Sequence, residues 1–70
     1  MKNFSYFFLN GNEYYIQSKI TLLDLIQYFN YNESLIILEY NNVICKRKNW
    51  EHQRIKDKDK IEIVTIVGGG

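Results

Sequence analysis

The chain has no proline, no alanine, one cysteine, one histidine and four glycines, three of which are its last residues. A single cysteine cannot close an internal disulfide, and one Cys with one His cannot fill a structural zinc site. Nine basic against eight acidic residues leave a formal net charge of +1. A balance so close to zero provides no broad basic surface for nucleic acid. Long apolar runs are also missing, because Asn, Glu, Gln, Lys and Asp interrupt every stretch well short of the roughly 18 residues that cross a bilayer. At 70 residues the chain holds one core, and a domain this small buries only about 60% of its unfolded surface. That leaves no room for a large catalytic cleft. A small intracellular binding or carrier module is expected, monomeric on its own, without nucleic-acid or membrane partners and without catalysis of its own.

The amino terminus, Met1-Lys2-Asn3-Phe4-Ser5-Tyr6, enters a strand pattern at once. It has neither the basic, Ser-rich character of a transit peptide nor the apolar centre of a signal peptide. The protein is therefore expected to act where it is made. Ile, Asn, Lys, Tyr and Phe are abundant, and all are encoded by AT-rich codons. This points to a plastid stroma or, alternatively, to the cytoplasm of an AT-rich bacterium.

The hydropathy pattern predicts the order β-β-α-β-β-β. Phe4 to Leu9 read as a strand, Asn10-Gly11 as a tight hairpin turn, and Glu13 to Gln17 as the returning strand. Thr21 and Asp24 form a capping-box pair, with Ile20 and Leu25 spaced as a hydrophobic staple. Leu22, Leu25, Ile26 and Phe29 then share one side of a helix over about residues 22–30. Leu35 to Tyr40, Val43-Ile44 and Ile61 to Val67 are further strands. Between the last two lies a polar crossing segment anchored by Trp50 and Ile55, with a turn at Asp57-Lys58-Asp59. One helix covers only one face of such a sheet, so each strand should alternate inward and outward residues. The result is an α+β, β-grasp architecture: a mixed sheet packed on one helix.

Alternation assigns Phe7, Leu9, Ile36, Leu38, Tyr40, Ile61 and Ile63 to the core. Tyr6, Phe8, Ile37, Glu39, Glu62, Val64 and Ile66 face away from the helix. Among these, Phe8, Val64 and Ile66 are candidates for an apolar partner-binding patch.

The carboxyl terminus carries the clearest functional signal. Val67 is followed directly by Gly68-Gly69-Gly70. Glycine adds no side chain and restricts the backbone least. The expected arrangement is a domain over residues 1–67 and a flexible tail over 68–70, thin enough to enter another protein's active site and present the Gly70 carboxylate.

The run from Asp57 to Gly70, DKDKIEIVTIVGGG, is similar to the acidic turn, final strand and glycine ending of the ThiS family, the thiamine-biosynthesis sulfur carriers. Leu9-Asn10-Gly11, Thr21 to Ile26, and Arg47 with Trp50 add to the resemblance. Lys46 stands where family members often carry a proline. The resemblance implies that the Gly70 carboxylate is adenylated by a ubiquitin-activating-like adenylyltransferase of the ThiF type, which uses ATP. Persulfide sulfur from a cysteine desulfurase then yields a thiocarboxylate, which a ThiG-type thiazole synthase consumes. Gly68 and Gly69 would thread the partner's active site. The carrier itself binds no cofactor or metal.

Other readings differ in what they require. The small subunits of molybdopterin synthase share the tail and its activation, but they tend to be longer and to carry a Pro-containing segment before the glycines. A β-grasp RNA- or nucleotide-binding module needs a basic or aromatic platform, and Lys46-Arg47-Lys48 is more simply a solvated loop. A passive β-grasp interaction module would tolerate changes in its tail. Catalysis by Cys45 and His52 would need the two side by side. Trp50 reads as a core anchor, and Asp57 and Asp59 read as turn residues rather than metal ligands.

Overall fold

The computed structural model describes residues 4–66. Five strands and one helix follow the order β1 (Ser5–Leu9), β2 (Asn12–Ile16), α1 (Leu22–Tyr28), β3 (Ile36–Tyr40), β4 (Val43–Ile44) and β5 (Lys60–Thr65). Short 3-10 turns at Glu33–Leu35 and Arg47–Asn49 precede β3 and follow β4. The strands form one mixed sheet in the order β2-β1-β5-β3-β4. β5 therefore lies at the centre, parallel to β1 and antiparallel to β3.

Two asparagine-containing turns set the hairpins. Asn10 and Gly11 have φ of 49° and 84°, and Asn41 and Asn42 have 52° and 72°. Two successive positive φ values make the mirror-image turn whose twist suits a two-residue hairpin. Leu9 thereby faces Asn12, and Tyr40 faces Val43. Asn10 has a second role, since its Oδ1 accepts from the Ile63 amide at 2.8 Å. Its side chain thus extends the β1–β5 ladder past the end of β1.

α1 has only seven residues, so packing and caps must hold it. The capping box is formed: the Asp24 amide donates to Thr21 Oγ1 at 3.2 Å, and the Thr21 amide donates to Asp24 Oδ2 at 2.9 Å. The crossing segment satisfies two more helix N–H groups, with Gln53 and Trp50 carbonyls accepting from Leu22 and Leu23. Leu22, Leu25 and Ile26 are buried against Phe7, Leu9, Leu38, Ile61 and Ile63, with Trp50 and Ile55 in the same core. The helix stops two residues before the expected end because Phe29 leaves helical geometry and Asn30 takes φ 59°. Other strand limits move by one residue, except that β5 ends at Thr65 with Ile66 already outside it, and Leu35 belongs to the 3-10 turn rather than to β3. Val67, the expected end of the last strand, lies outside the described residues.

The Asp57–Asp59 turn is present, and Asp59 also carries structural weight. Only 7% of its surface is exposed. Its carboxylate accepts from the Tyr40 hydroxyl, from Asn41 Nδ2 at 3.1 Å and from the Lys56 amide at 2.6 Å. Three donors compensate the burial of an anion. Burial, reinforced by the bond to Asp59, pushes the Tyr40 phenol above its ordinary value of 10.0.

Asp59→Ala should therefore cost about 2–4 kcal/mol, read by urea unfolding, because three donors lose their acceptor. Tyr40 also sets a pH dependence. Its folded pKa lies above the unfolded value, so its contribution is complete below pH 10.0 and declines as the unfolded chain ionises above it. The loss of stability on raising the pH beyond that point should be smaller in Tyr40→Phe than in the wild type.

Candidate functional site

α1 covers one face of the sheet, and the other face is open. On it the strand register groups the outward side chains. Phe8 lies opposite Glu13 on β2 and opposite Lys60 on β5. Tyr6 and Tyr15 are paired across β1 and β2, and the Tyr6 ring is 5.8 Å from both Phe8 and Tyr15. Val64 lies opposite Ile37, and Glu62 lies opposite Glu39, which in turn faces Ile44.

This register does not bring the three candidate patch residues together. Val64 is four residues along β5 from Lys60, the neighbour of Phe8, which is about 13 Å at strand rise. The parallel β1–β5 pairing is the cause, since it aligns β1 with the beginning of β5 rather than with its end. Phe8 is half-buried in an aromatic group with Tyr6 and Tyr15. Val64 and Ile66, 57% and 43% exposed, belong to an aliphatic group with Ile37 near the end of β5. Lys60, Glu62 and Glu39 lie between the two groups. Ile37 was legible as an outward residue, but only the antiparallel register identifies it as the neighbour of Val64.

The chain leaves the sheet at the aliphatic end. Thr65 is paired with Ile36, and the Ile66 amide donates to the Leu35 carbonyl at 2.6 Å. Nearby, Arg47 forms a 3.3 Å ion pair with Glu33, joining the crossing segment to the 3-10 turn that precedes β3. Gly68, Gly69 and Gly70 follow and lie outside the described residues.

Cys45 and His52 both line a wide groove of about 650 Å³ beside β4, but they do not form a nucleophile–base pair. The Cys45 sulfur is 3.9 Å from the Lys46 carbonyl, whereas His52 Nε2 is 3.3 Å from Glu51. Burial pushes the Cys45 thiol up from its ordinary value, the opposite of what activates a thiol. Trp50 is buried, and its indole N–H donates to the Cys45 carbonyl at 2.9 Å. Among the described residues no group of three or more His, Cys, Asp or Glu is arranged to hold a metal ion, and no helix is long and apolar enough to cross a membrane. Alkylation of Cys45 by iodoacetamide at neutral pH should accordingly be slower than that of a free cysteine peptide.

Comparison with known proteins agrees with this geometry. The chain is 62% identical over 64 residues to the uncharacterized protein ycf40 of Trieres chinensis, covering 91% of this chain and 88% of that protein. It is 34% identical over 62 residues to ycf40 of Porphyra purpurea, covering 89% and 87%. The sulfur carrier protein ThiS of Bacillus subtilis is 34% identical over 50 residues, or 71% of this chain and 76% of that one. The crystal structure of the thiamine biosynthesis protein ThiS from Geobacter metallireducens superposes with a TM-score of 0.78 at 19% identity, covering 93% of this chain and 99% of the other. That structural likeness confirms the β-grasp fold. With the ThiS family model matching residues 8–70, the chain belongs to the ThiS family.

Proposed function

We propose that this protein is a sulfur carrier for thiazole formation in thiamine biosynthesis, and that its reacting group is the carboxylate of Gly70. The observation that carries the reading is the position of β5. It is the middle strand of the sheet, and only Ile66 and Val67 separate its last residue from the three glycines. A tail anchored this way can be pulled into a partner's active site while the core stays intact.

The chemistry follows from the carboxylate. A carboxylate resists nucleophilic attack until one oxygen becomes a good leaving group. Transfer of AMP from ATP by a ThiF-type adenylyltransferase provides one, with release of pyrophosphate. A persulfide sulfur, supplied through a cysteine desulfurase, then displaces AMP to give an acyl disulfide. Attack of a second donor thiol on that disulfide frees the thiocarboxylate, while the two donor thiols end as a disulfide. A ThiG-type thiazole synthase would be the acceptor. The carrier contributes no acid, base or nucleophile in this scheme. Gly68 and Gly69 provide a passage free of side chains, and Gly70 provides the reacting group. Val64 and Ile66, with Ile37, form the surface nearest the tail for docking on the adenylyltransferase. Phe8 offers a separate contact farther along the face. The codon-biased composition and the ycf40 relatives of Trieres chinensis, Porphyra purpurea and Pyropia yezoensis support a plastid location.

Intact-mass analysis after incubation with adenylyltransferase, ATP, desulfurase and cysteine should show one oxygen replaced by sulfur in the last residue. An unchanged mass, with the same enzymes active on a control carrier, would refute the reading. Val64→Asp should weaken binding to the adenylyltransferase at least tenfold, while the exposed position keeps the stability change within about 0.5 kcal/mol. Equal affinity would remove the docking assignment.

A further inference from the structure

The two edges of the sheet are treated differently. At the β4 edge the strand is only two residues long, and the segment carrying Arg47 and Trp50 closes over β3 behind it. Among the described residues the β2 edge has no proline, bulge, covering loop or inward-pointing charge, and Glu13 is its one charged side chain. The amides of Phe8 in β1 and of Asn10 just after it donate to the carbonyls of Asp59 and Ile61 on the β5 side, so Phe7 and Leu9 bond to β2, and their partners Tyr14 and Asn12 face inward along the ladder. The N–H and C=O groups of Glu13 and Tyr15 therefore point outward. On the helix side, this edge borders an apolar groove of about 320 Å³ lined by Tyr14, Ile16, Ile20, Leu25, Tyr28 and Phe29. Tyr15 is 66% exposed on the other side.

We propose that the β2 edge pairs with β2 of a second copy of this chain, antiparallel about Tyr15, to form one continuous ten-stranded sheet. The strand's own sequence selects this register. With Tyr15 facing Tyr15, each Tyr14 meets Ile16 of the other copy over the groove, and each Glu13 meets Gln17. Centring on Glu13 would set two carboxylates directly opposite each other, which opposes pairing. Centring on Tyr14 would place Asn12 against Ile16, and centring on Ile16 would place Tyr14 against Ser18. Only the Tyr15 register joins apolar partners twice on the groove side without opposing like charges. This departs from the monomer expected from the sequence. It also leaves β3, the open-face residues Ile37 and Val64, and the end of β5 free in both copies, so it holds whether or not the chain carries sulfur.

Sedimentation equilibrium of the full chain tests the proposal. The wild type should show a concentration-dependent dimer, and amide exchange at Glu13 and Tyr15 should slow as dimer accumulates. Tyr15→Lys and Tyr15→Glu alone should each raise the dissociation constant at least tenfold by opposing like charges, whereas an equimolar mixture should dimerise again. Tyr15→Pro, which removes an outward N–H and none of the β1–β2 ladder bonds, should remain folded by circular dichroism and be monomeric. A wild type that stays monomeric at every concentration overturns the proposal, including the case in which a strand from another protein uses this edge. So does a Tyr15→Lys variant that dimerises as the wild type does, and a mixture that stays monomeric overturns the register.

Discussion

The parallel pairing of the first strand with the last is the constraint on which the rest of this structure depends. It makes β5 the central strand and threads the chain's final element between β1 and β3. A strand held on both sides can bear tension at its end without fraying the sheet, unlike an edge strand with one neighbour. The pairing is reinforced beyond its own ladder. Asn10 lends a side-chain oxygen to the Ile63 amide, Asp57 Oδ1 accepts from the Tyr6 amide at 3.0 Å, and the Lys58 amide donates to the Tyr6 carbonyl at 2.6 Å. Asn41 clamps the other side, its side chain and amide bonding to the Lys60 amide and carbonyl.

Because β5 arrives last in the chain, its position depends on contacts distant in sequence, and the crossing segment supplies them. Trp50 and Ile55 seat that segment in the core, and two of its carbonyls complete the helix N-terminus. Asp59 then ties its end to Tyr40 and Asn41. An irregular stretch of polar residues thus secures helix, sheet and turn together. This explains how so small a core holds β5 in place.

Local chemistry made much of this fold legible beforehand. The Thr21–Asp24 capping box, the Asn10-Gly11 turn and the alternation of Ile61 and Ile63 with Glu62 and Val64 are short-range signals, and each maps onto one element. Signals set by register were not legible. The separation of Phe8 from Val64 follows from the parallel β1–β5 alignment, which no local pattern encodes. Asp59 read as a turn residue because its acceptor role depends on Tyr40 and Asn41, which approach from across the sheet. The helix end was misplaced because Asn30 supports a left-handed residue as readily as a stop further on, and Phe29 keeps its core contact with Tyr14, the rings 5.5 Å apart, from the cap position. The tail proposed as reactive was read from its glycines alone, whereas grouping Val64 with Ile37 required the sheet.

The central claim is that the folded domain exists to present one carboxylate. Pyrophosphate exchange into ATP, catalysed by the adenylyltransferase, tests it most directly, since exchange requires a carboxylate that accepts the adenylyl group. The account predicts carrier-dependent exchange with the wild-type chain and none when Gly70 is deleted, with unfolding curves for the two proteins superimposed. Equal exchange with the shortened chain would contradict the assignment of Gly70 as the reacting residue. No exchange with the intact chain, on an enzyme active toward another carrier, would contradict the claim itself.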